Sequence, residues 1–524
     1  MNARTWLITL LLVMATLQVG LAVRHSLWAD ELFSLAMATG HSLEHPAATA
    51  KPEWGDYVEA AAPVTGAELR RYAEFEPHPA GPSEVVRAVF LSDTSPPLYY
   101  LLLNGWTRLF GVSDLALRSL SIGFSLACLP LLFGIGRALG GGRTAAIAAG
   151  LFAITPLSLY YSAEGRMYSL LWFCVLALTW ATVRLFHGLG GRRDPVIWVV
   201  ASAAGFLVHY YFLFTWAAAV LFLVLRPGQD TWGKLATRIA VMVALVLPWY
   251  IHLPENLAQW RITEAWVKWE PADYNRWIAL RDIFVRHFTG DGQYLWHAPR
   301  LAQLGALFAF GLAAVITFAR FGRHVMSGVA LLVALWFAFA CVGPWVADIA
   351  RGSFIAQYPR YASAAMPAAC LLGGWALANL GRRLAWSAMA LVVLCWSPSV
   401  ATIFQSRARS GQAIRDVAKH VGGFGASDLM LVHSIPSGGI LLARYLNTAV
   451  PFAIWTGQLG QRELPESMEA LVAGRKTVVL VKLHTVGEPA PEEIWLRANA
   501  RLVKNKQLGD VFIDEYRSLR GDLF

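Results

Sequence analysis

The stretch AAIAAGLFAITPLSLYYSAEGRMYSLLWFCVLALTWATV, residues 145–183, reads as two apolar runs, 145–161 and 167–183, joined by Ser162-Ala163-Glu164-Gly165-Arg166. Each run is just long enough to cross a hydrocarbon core of about 30 Å as a helix. So short a link makes the pair an antiparallel hairpin and holds Glu164 and Arg166 at or within one interface. Ionisable side chains at that depth are costly to desolvate, so they point to function unless they merely pair across the turn.

Outward from this hairpin the pattern repeats. Apolar runs recur at 6–23, 115–136, 195–208, 211–225, 235–251, 301–319, 325–347, 360–380 and 384–404, which with the first two makes eleven. With 56% hydrophobic and 15% charged residues in 524, and a mean hydropathy of +0.47, the chain is too apolar for a soluble globule. The 22 Trp residues suit membrane–water interfaces. The net charge of +10 lies largely in short loops, and no nucleic-acid-reading motif is present, so nucleic acid is not an expected partner. Cys128, Cys174, Cys341, Cys370 and Cys395 all fall in apolar runs, which reads as packing thiols rather than disulfides or metal ligands. Run 6–23, behind Arg4, has the look of a signal peptide but reads as a retained first span, because it leads directly into an acidic pair.

The distribution of Arg and Lys sets the orientation. With the N-terminus inside and segment 96–110 not crossing, the inner short loops hold Arg137/Arg143, Arg184/Arg192/Arg193, Arg226/Lys234/Arg238, Arg320/Arg323 and Arg382/Arg383. The outer short loops hold only Arg166, the hairpin at His209–Tyr211, and Arg351/Arg360. Letting 96–110 cross would put every basic loop on the wrong side. The expected fold is therefore an α-helical polytopic membrane protein of about eleven spans, N-in and C-out, with 96–110 as an interfacial helix.

The same parity puts three hydrophilic stretches on the outer face: the first loop 24–95, the loop 253–300, and the tail 405–524. Within the second, 275–288 reads as an interfacial helix with Trp277, Leu280, Phe284 and Phe288 on one face and Arg276, Arg281 and Arg286 around the rest. The domain reading is a transmembrane part, 1–404, and a small α/β extracytoplasmic domain, 405–524. Its expected strands lie at 429–433, 477–482 and 511–513, and its helical stretches at 439–446 and 465–471.

Four groups on that outer face could carry chemistry. Asp30-Glu31 follow the first span closely, where paired carboxylates are costly unless used; the plain alternative is Asp30 capping a helix over 31–39. Asp93 approaches the pair Pro96-Pro97 and then Tyr99-Tyr100, a rigid helix entry and a candidate substrate-binding edge. Glu164, Arg166 and Tyr168 form the hairpin group. Arg360 and Tyr361, in Tyr358-Pro359-Arg360-Tyr361, could grip a phosphate or simply anchor headgroups.

Asp30-Glu31, SPPLYYLLLNGWTRLFGVSDLALRSLS (95–121), YYSAEGRMYSLL (160–171) and YPRYASAAMP (358–367) resemble the protein O-mannosyltransferase/aminoarabinose transferase group. These are multi-span glycosyltransferases of the GT-C fold, glycosyltransferase family 39 and its relatives. The resemblance spans roughly 1–380 and is strongest over 90–185. It implies a polyprenyl-phosphate sugar donor, a site on the outer face, and inversion at the anomeric carbon. By position Asp30 matches the first-loop catalytic aspartate, Glu164 the acidic residue of a hairpin motif with Arg166 and Tyr168 in register, and Arg360-Tyr361 an R-Y pair opening a late span. The chain departs from the pattern at Ser95, where His or Lys is usual, at Ala163 and Gly165, and at Asp93, which lies upstream of the usual carboxylate.

Such a transfer needs a base for a hydroxyl acceptor and positive charge for the departing phosphate. Asp30 is the expected base, with Glu31 and Glu164 as further catalytic carboxylates and Asp93, Tyr99 and Tyr100 as substrate contacts. Arg166 and Arg360, with Tyr168 and Tyr361, are expected at the donor phosphate. No cofactor is required, although a divalent metal at Asp93 or Glu164 could replace arginine in that role. The expected location is the inner or plasma membrane with the site on its periplasmic or extracytoplasmic side, next to membrane lipids and an acceptor that is a lipid, a glycan or a protein. Rival readings are a lipid-linked oligosaccharide ligase, a lipid or sugar transporter or flippase, and a receptor using its tail. Transporters, however, place charges near the midplane and often repeat their halves, and neither feature is seen.

Overall fold

The computed structural model describes residues 3–44, 50–75, 80–93, 95–189, 191–228, 231–255, 267–271, 273–293, 295–325, 328–455, 466–483, 489–519 and 524. Its contacts divide the chain into two compact units. Met1–Ala22, Arg118–Leu253 and Glu264–Gln405 form the first; Val23–Leu117, Pro254–Thr263 and Ser406–Phe524 form the second.

The first unit is helical, and helices take up most of each of the eleven apolar runs, with run 145–161 interrupted at Thr155. Eight described helices are long and apolar enough to cross a membrane. One of them, Asp114–Ile154, holds run 115–136 and the first part of run 145–161 and breaks at Gly140 and Gly141, where Gly141 takes φ +84° in a region closed to most side chains. Arg193–Phe206 and Phe212–Leu225, at 14 residues each, hold two more. This is a multi-pass membrane protein. Its apolar surface fits that setting, since Leu301, Leu304, Phe308, Val315 and Phe318 of Arg300–Val325 all stand outward. Inside, small residues let backbones approach: a Cβ on Gly374 would fall 2.7 Å from the Ala148 nitrogen.

The helix expected at 275–288 exists as Arg276–Thr289, capped by Asn275, whose side chain accepts from Trp277 N and Ile278 N. Its packing differs from the sequence reading. Ala279, Ile283, Arg286 and His287 face inward, while Trp277 is 69% exposed. The amphipathic pattern locates an apolar face but cannot say that this face looks outward. Arg286 turns inward because loop carbonyls there need a donor: its Nη1 donates to Gln357 O at 2.6 Å.

The second unit joins the first loop to the tail. Its sheet has the order β2-β1-β3-β5-β4, with β1 (Leu429–His433), β2 (Phe452–Trp455), β3 (Val478–Lys482), β4 (Ala500–Leu508) and β5 (Val511–Ser518). β1 pairs parallel with β2 and β3, and β5 pairs antiparallel with β3 and β4. Leu429, Leu431, Val478, Leu480, Leu496 and Tyr516 sit in its core. Both β2 and β4 escaped the sequence reading, and β5 is longer than expected. Most of β4 is exposed and carries Arg501, Lys504 and Lys506, so this edge strand has no apolar alternation to betray it. Helices Pro436–Tyr445 and Glu466–Val472 answer to the expected helical stretches, with residue 465 outside the described residues.

Segment 96–110 forms the 13-residue helix Leu98–Phe110. It buries Tyr99, Tyr100, Leu103 and Asn104 and exposes Leu102, Leu109 and Phe110. Asn104 Nδ2 donates to Ala38 O at 2.8 Å and to Ala80 O at 3.1 Å, which explains a polar residue on an otherwise apolar helix.

Candidate functional site

Asp30 lies in the first turn of helix Ala29–Ala38, whose cap residue is Trp28. Asp30 is thus not the cap, and the plain reading of it as one falls away. Carboxylates in a first turn are favoured by the partial positive charge of the helix N-terminus. The two neighbours differ in access: Glu31 is fully buried, whereas Asp30 keeps partial exposure.

Asp93 ends helix Pro82–Ser92. Its Oδ1 accepts from Ser95 N at 3.1 Å and its Oδ2 from Tyr100 OH at 2.8 Å, so two of the expected substrate contacts are joined. Tyr99 packs edge-on against Tyr100 with ring centroids 5.7 Å apart, and both are buried.

A third carboxylate belongs with these. Leu43 N donates to Ser92 Oγ at 2.9 Å, and Ser92 Oγ to Ser42 Oγ at 2.9 Å, which fastens the segment ending in Glu44 beside Asp93. Glu44 is buried, and its Oε2 has no hydrogen-bond partner among the described residues. Burial pushes its carboxyl well above the ordinary glutamate range, and the charges of Asp93 and then Asp30 push it further. Sequence reasoning missed Glu44 because a glutamate in a polar loop carries no signal of its burial.

In the helical unit, Glu164, Arg166 and Tyr168 are all buried in the turn between helices Pro156–Ser162 and Tyr168–His187. Arg166 N donates to Glu164 O at 2.7 Å, and Ser121 Oγ donates to Arg166 O at 3.0 Å. An aromatic cluster surrounds the turn: Tyr161 meets Tyr168 at 5.1 Å, and Tyr160 meets Trp296 at 4.9 Å.

Arg360 opens the 3-10 helix Pro359–Ala365, with its guanidinium 5.4 Å from the Tyr358 ring and 5.3 Å from the Tyr361 ring. Such stacking restrains a guanidinium while leaving its N–H edge able to donate. The loop before it is held by Asp348, which accepts from Ser353 Oγ at 2.5 Å, Ile355 N at 3.1 Å and Ala356 N at 2.7 Å. Asp348 was legible in principle, as a lone carboxylate near the end of a long apolar run. Trp172 Nε1 donates to Ser363 O at 2.9 Å, which ties the helix begun by Tyr168 to the one begun at Pro359.

Among the described residues no group of three or more His, Cys, Asp or Glu side chains could hold a metal ion. Asp93, one of the two expected ligands, already accepts two hydrogen bonds.

A family model described as dolichyl-phosphate-mannose-protein mannosyltransferase matches residues 94–252. The structure is similar to that of ArnT from Cupriavidus metallidurans bound to undecaprenyl phosphate, with a TM-score of 0.59, 14% identity and 98% of each chain covered. The fold is of the GT-C type. Apo ArnT gives a TM-score of 0.60 at 13% identity, again covering 98% of each chain. A second GT-C structure, the oligosaccharyltransferase AglB from Archaeoglobus fulgidus in complex with an inhibitory peptide and a dolichol-phosphate, gives 0.50 at 13% identity, covering 91% of this chain and 69% of that one. No curated protein matches the sequence. The resemblance read from the four motifs therefore stands, with the GT-C fold as its firm content.

Proposed function

We propose that the protein is a membrane glycosyltransferase that moves a monosaccharide from a polyprenyl-phosphate carrier to an extracytoplasmic acceptor, with inversion. The observation that carries this reading is the GT-C type of fold, in whose second unit the bonds of Ser42 and Leu43 to Ser92 set the buried Glu44 beside Asp93. Further support comes from the family-model match and from a GT-C relative bound to undecaprenyl phosphate.

In this reading Asp30, the accessible member, takes the proton as the acceptor oxygen attacks the anomeric carbon. The bond from that carbon to the phosphate oxygen breaks, and the carrier leaves as polyprenyl phosphate. Arg166 and Arg360 meet the charge that develops there, with Tyr168 and Tyr361 beside them. Asp93, Tyr99 and Tyr100 form the substrate edge, while Glu31 and Glu164 add negative potential near an oxocarbenium-like sugar. Glu44, which burial holds toward its neutral form, belongs to the same acidic group. The fold likeness to AglB favours one second reading, transfer of a lipid-linked oligosaccharide.

Membranes containing the wild type or Asp30→Asn, given a panel of polyprenyl-phosphate sugars and an envelope extract, test the reading. Transfer by the wild type that Asp30→Asn abolishes at equal protein level is the expected result. Transfer that survives removes Asp30 as the base. Consumption of a lipid-pyrophosphate oligosaccharide alone would favour the ligase.

A further inference from the structure

We propose that the tail sets the position of Asp30, with Gln412 and Tyr445 as positioning residues for the transfer reaction. The inference rests on the reading of Asp30 as the base. The first backbone N–H groups of a helix have no acceptor within the helix, and the approach to helix Ala29–Ala38 draws acceptors from elsewhere. Tail residues supply them. Gln412 Oε1 accepts from Ala29 N at 3.0 Å, one residue before Asp30. Tyr445 OH accepts from Leu27 N at 2.8 Å. Ser26 Oγ donates to Gln412 O at 3.1 Å and accepts from Ile414 N at 3.2 Å.

Each of these tail groups is fixed in turn. Gln412 ends a tight turn in which Gln412 N donates to Arg409 O at 2.9 Å, and both Ser410 and Gly411 have positive φ. That turn docks on the β4–β5 hairpin, where Asp510 N donates to Gly411 O at 2.8 Å and a Cβ on Gly411 would overlap Asp510. Tyr445 OH donates to Asp114 Oδ2, which also takes Arg415 Nη2 at 2.7 Å. Arg444 reaches the other oxygen of Asp114 at 3.1 Å. The tail thereby acts as a frame for the backbone at the start of the helix that carries Asp30. A catalytic carboxylate must be held to within about half an ångström of its working geometry, so this frame bears on rate rather than on donor affinity.

The test uses the full chain in detergent, with Gln412→Leu, Gln412→Glu, Gly411→Ala and Asp30→Asn, and reads two quantities. The first is hydrogen exchange of peptides covering 24–40. Gln412→Leu and Gly411→Ala are expected to speed it at least tenfold while peptides over β1 and β3 stay unchanged, and Gln412→Glu, which keeps the acceptor oxygen, to restore protection. The second is turnover of polyprenyl-phosphate mannose as probe. Gln412→Leu is expected to lower kcat at least tenfold with donor KM within twofold, with rescue by Gln412→Glu. Unchanged exchange over 24–40, exchange raised equally across the tail, or full kcat in Gln412→Leu beside an inactive Asp30→Asn overturns the frame alone. A fully active Asp30→Asn overturns the base reading and this proposal with it. Where the probe is not turned over, the exchange result decides.

Discussion

In the helical unit, Trp172, Trp336 and Trp396 each donate an indole N–H to a backbone carbonyl, at 2.9, 2.8 and 2.9 Å. In the mixed unit, Asp114 instead gathers Arg415, Arg444 and Tyr445, and Lys482 lies between Glu493 at 2.9 Å and Asp514 at 3.0 Å. The difference follows the solvent. Within a hydrocarbon setting a neutral donor closes a loose carbonyl at little cost, whereas a charge there is expensive. Beside water, charged networks are affordable and give directional anchoring. The proposed chemistry divides along the same line, with most carboxylates in the mixed unit and, in the helical one, the buried Arg166 and the half-buried Arg360 stacked on Tyr358 and Tyr361.

The largest effect that would test this division is on turnover. Asp30→Asn should lower transfer by roughly 10²–10⁴-fold, the usual worth of a general base, as measured by product formed per folded enzyme. A loss below about threefold would move the chemistry to the helical unit. Next, Arg360→Lys keeps the charge but loses the planar fork, and should cost roughly 10- to 100-fold in kcat/KM. Equal activity would return Arg360 to a headgroup anchor.

A smaller pair compares stability. Asp114→Asn should destabilise by about 2 kcal/mol, less at high salt, because it breaks a partly exposed network. Trp336→Phe should cost about 1–2 kcal/mol with no salt dependence, from one buried carbonyl left unpaired. Thermal unfolding in detergent at two salt concentrations reads both, and equal salt sensitivity would erase the contrast.

The smallest effect concerns Glu44. Its folded-state value is raised, so the folded protein keeps this proton longer than the unfolded chain does. The stability it contributes is full below the ordinary glutamate range and is lost as pH rises through the raised value. Glu44→Gln removes that loss, so its Tm should fall less steeply than that of the wild type as pH rises above the ordinary glutamate range. Parallel curves would separate Glu44 from the acidic group.

The apolar runs and the short helix at 96–110 were legible in the sequence, because length and hydropathy alone decide whether a helix suits a bilayer. So were the strands β1 and β3, whose unbroken apolar runs match their burial on both faces. Candidate residues could be named from their cost of desolvation, as with Glu164 and Arg166. Local pattern could not decide direction or partnership. It assigned Arg286 to the surface, when a carbonyl far along the chain at Gln357 draws it inward. It missed polar β4, which is a strand only because β5 pairs with it. It could not see that Glu44 is buried beside Asp93, or that Gln412 lies against Ala29 across 383 residues of chain. A bilayer imposes its demands one helix at a time, so they are written in local composition; the partners of a polar group are fixed only when distant segments meet.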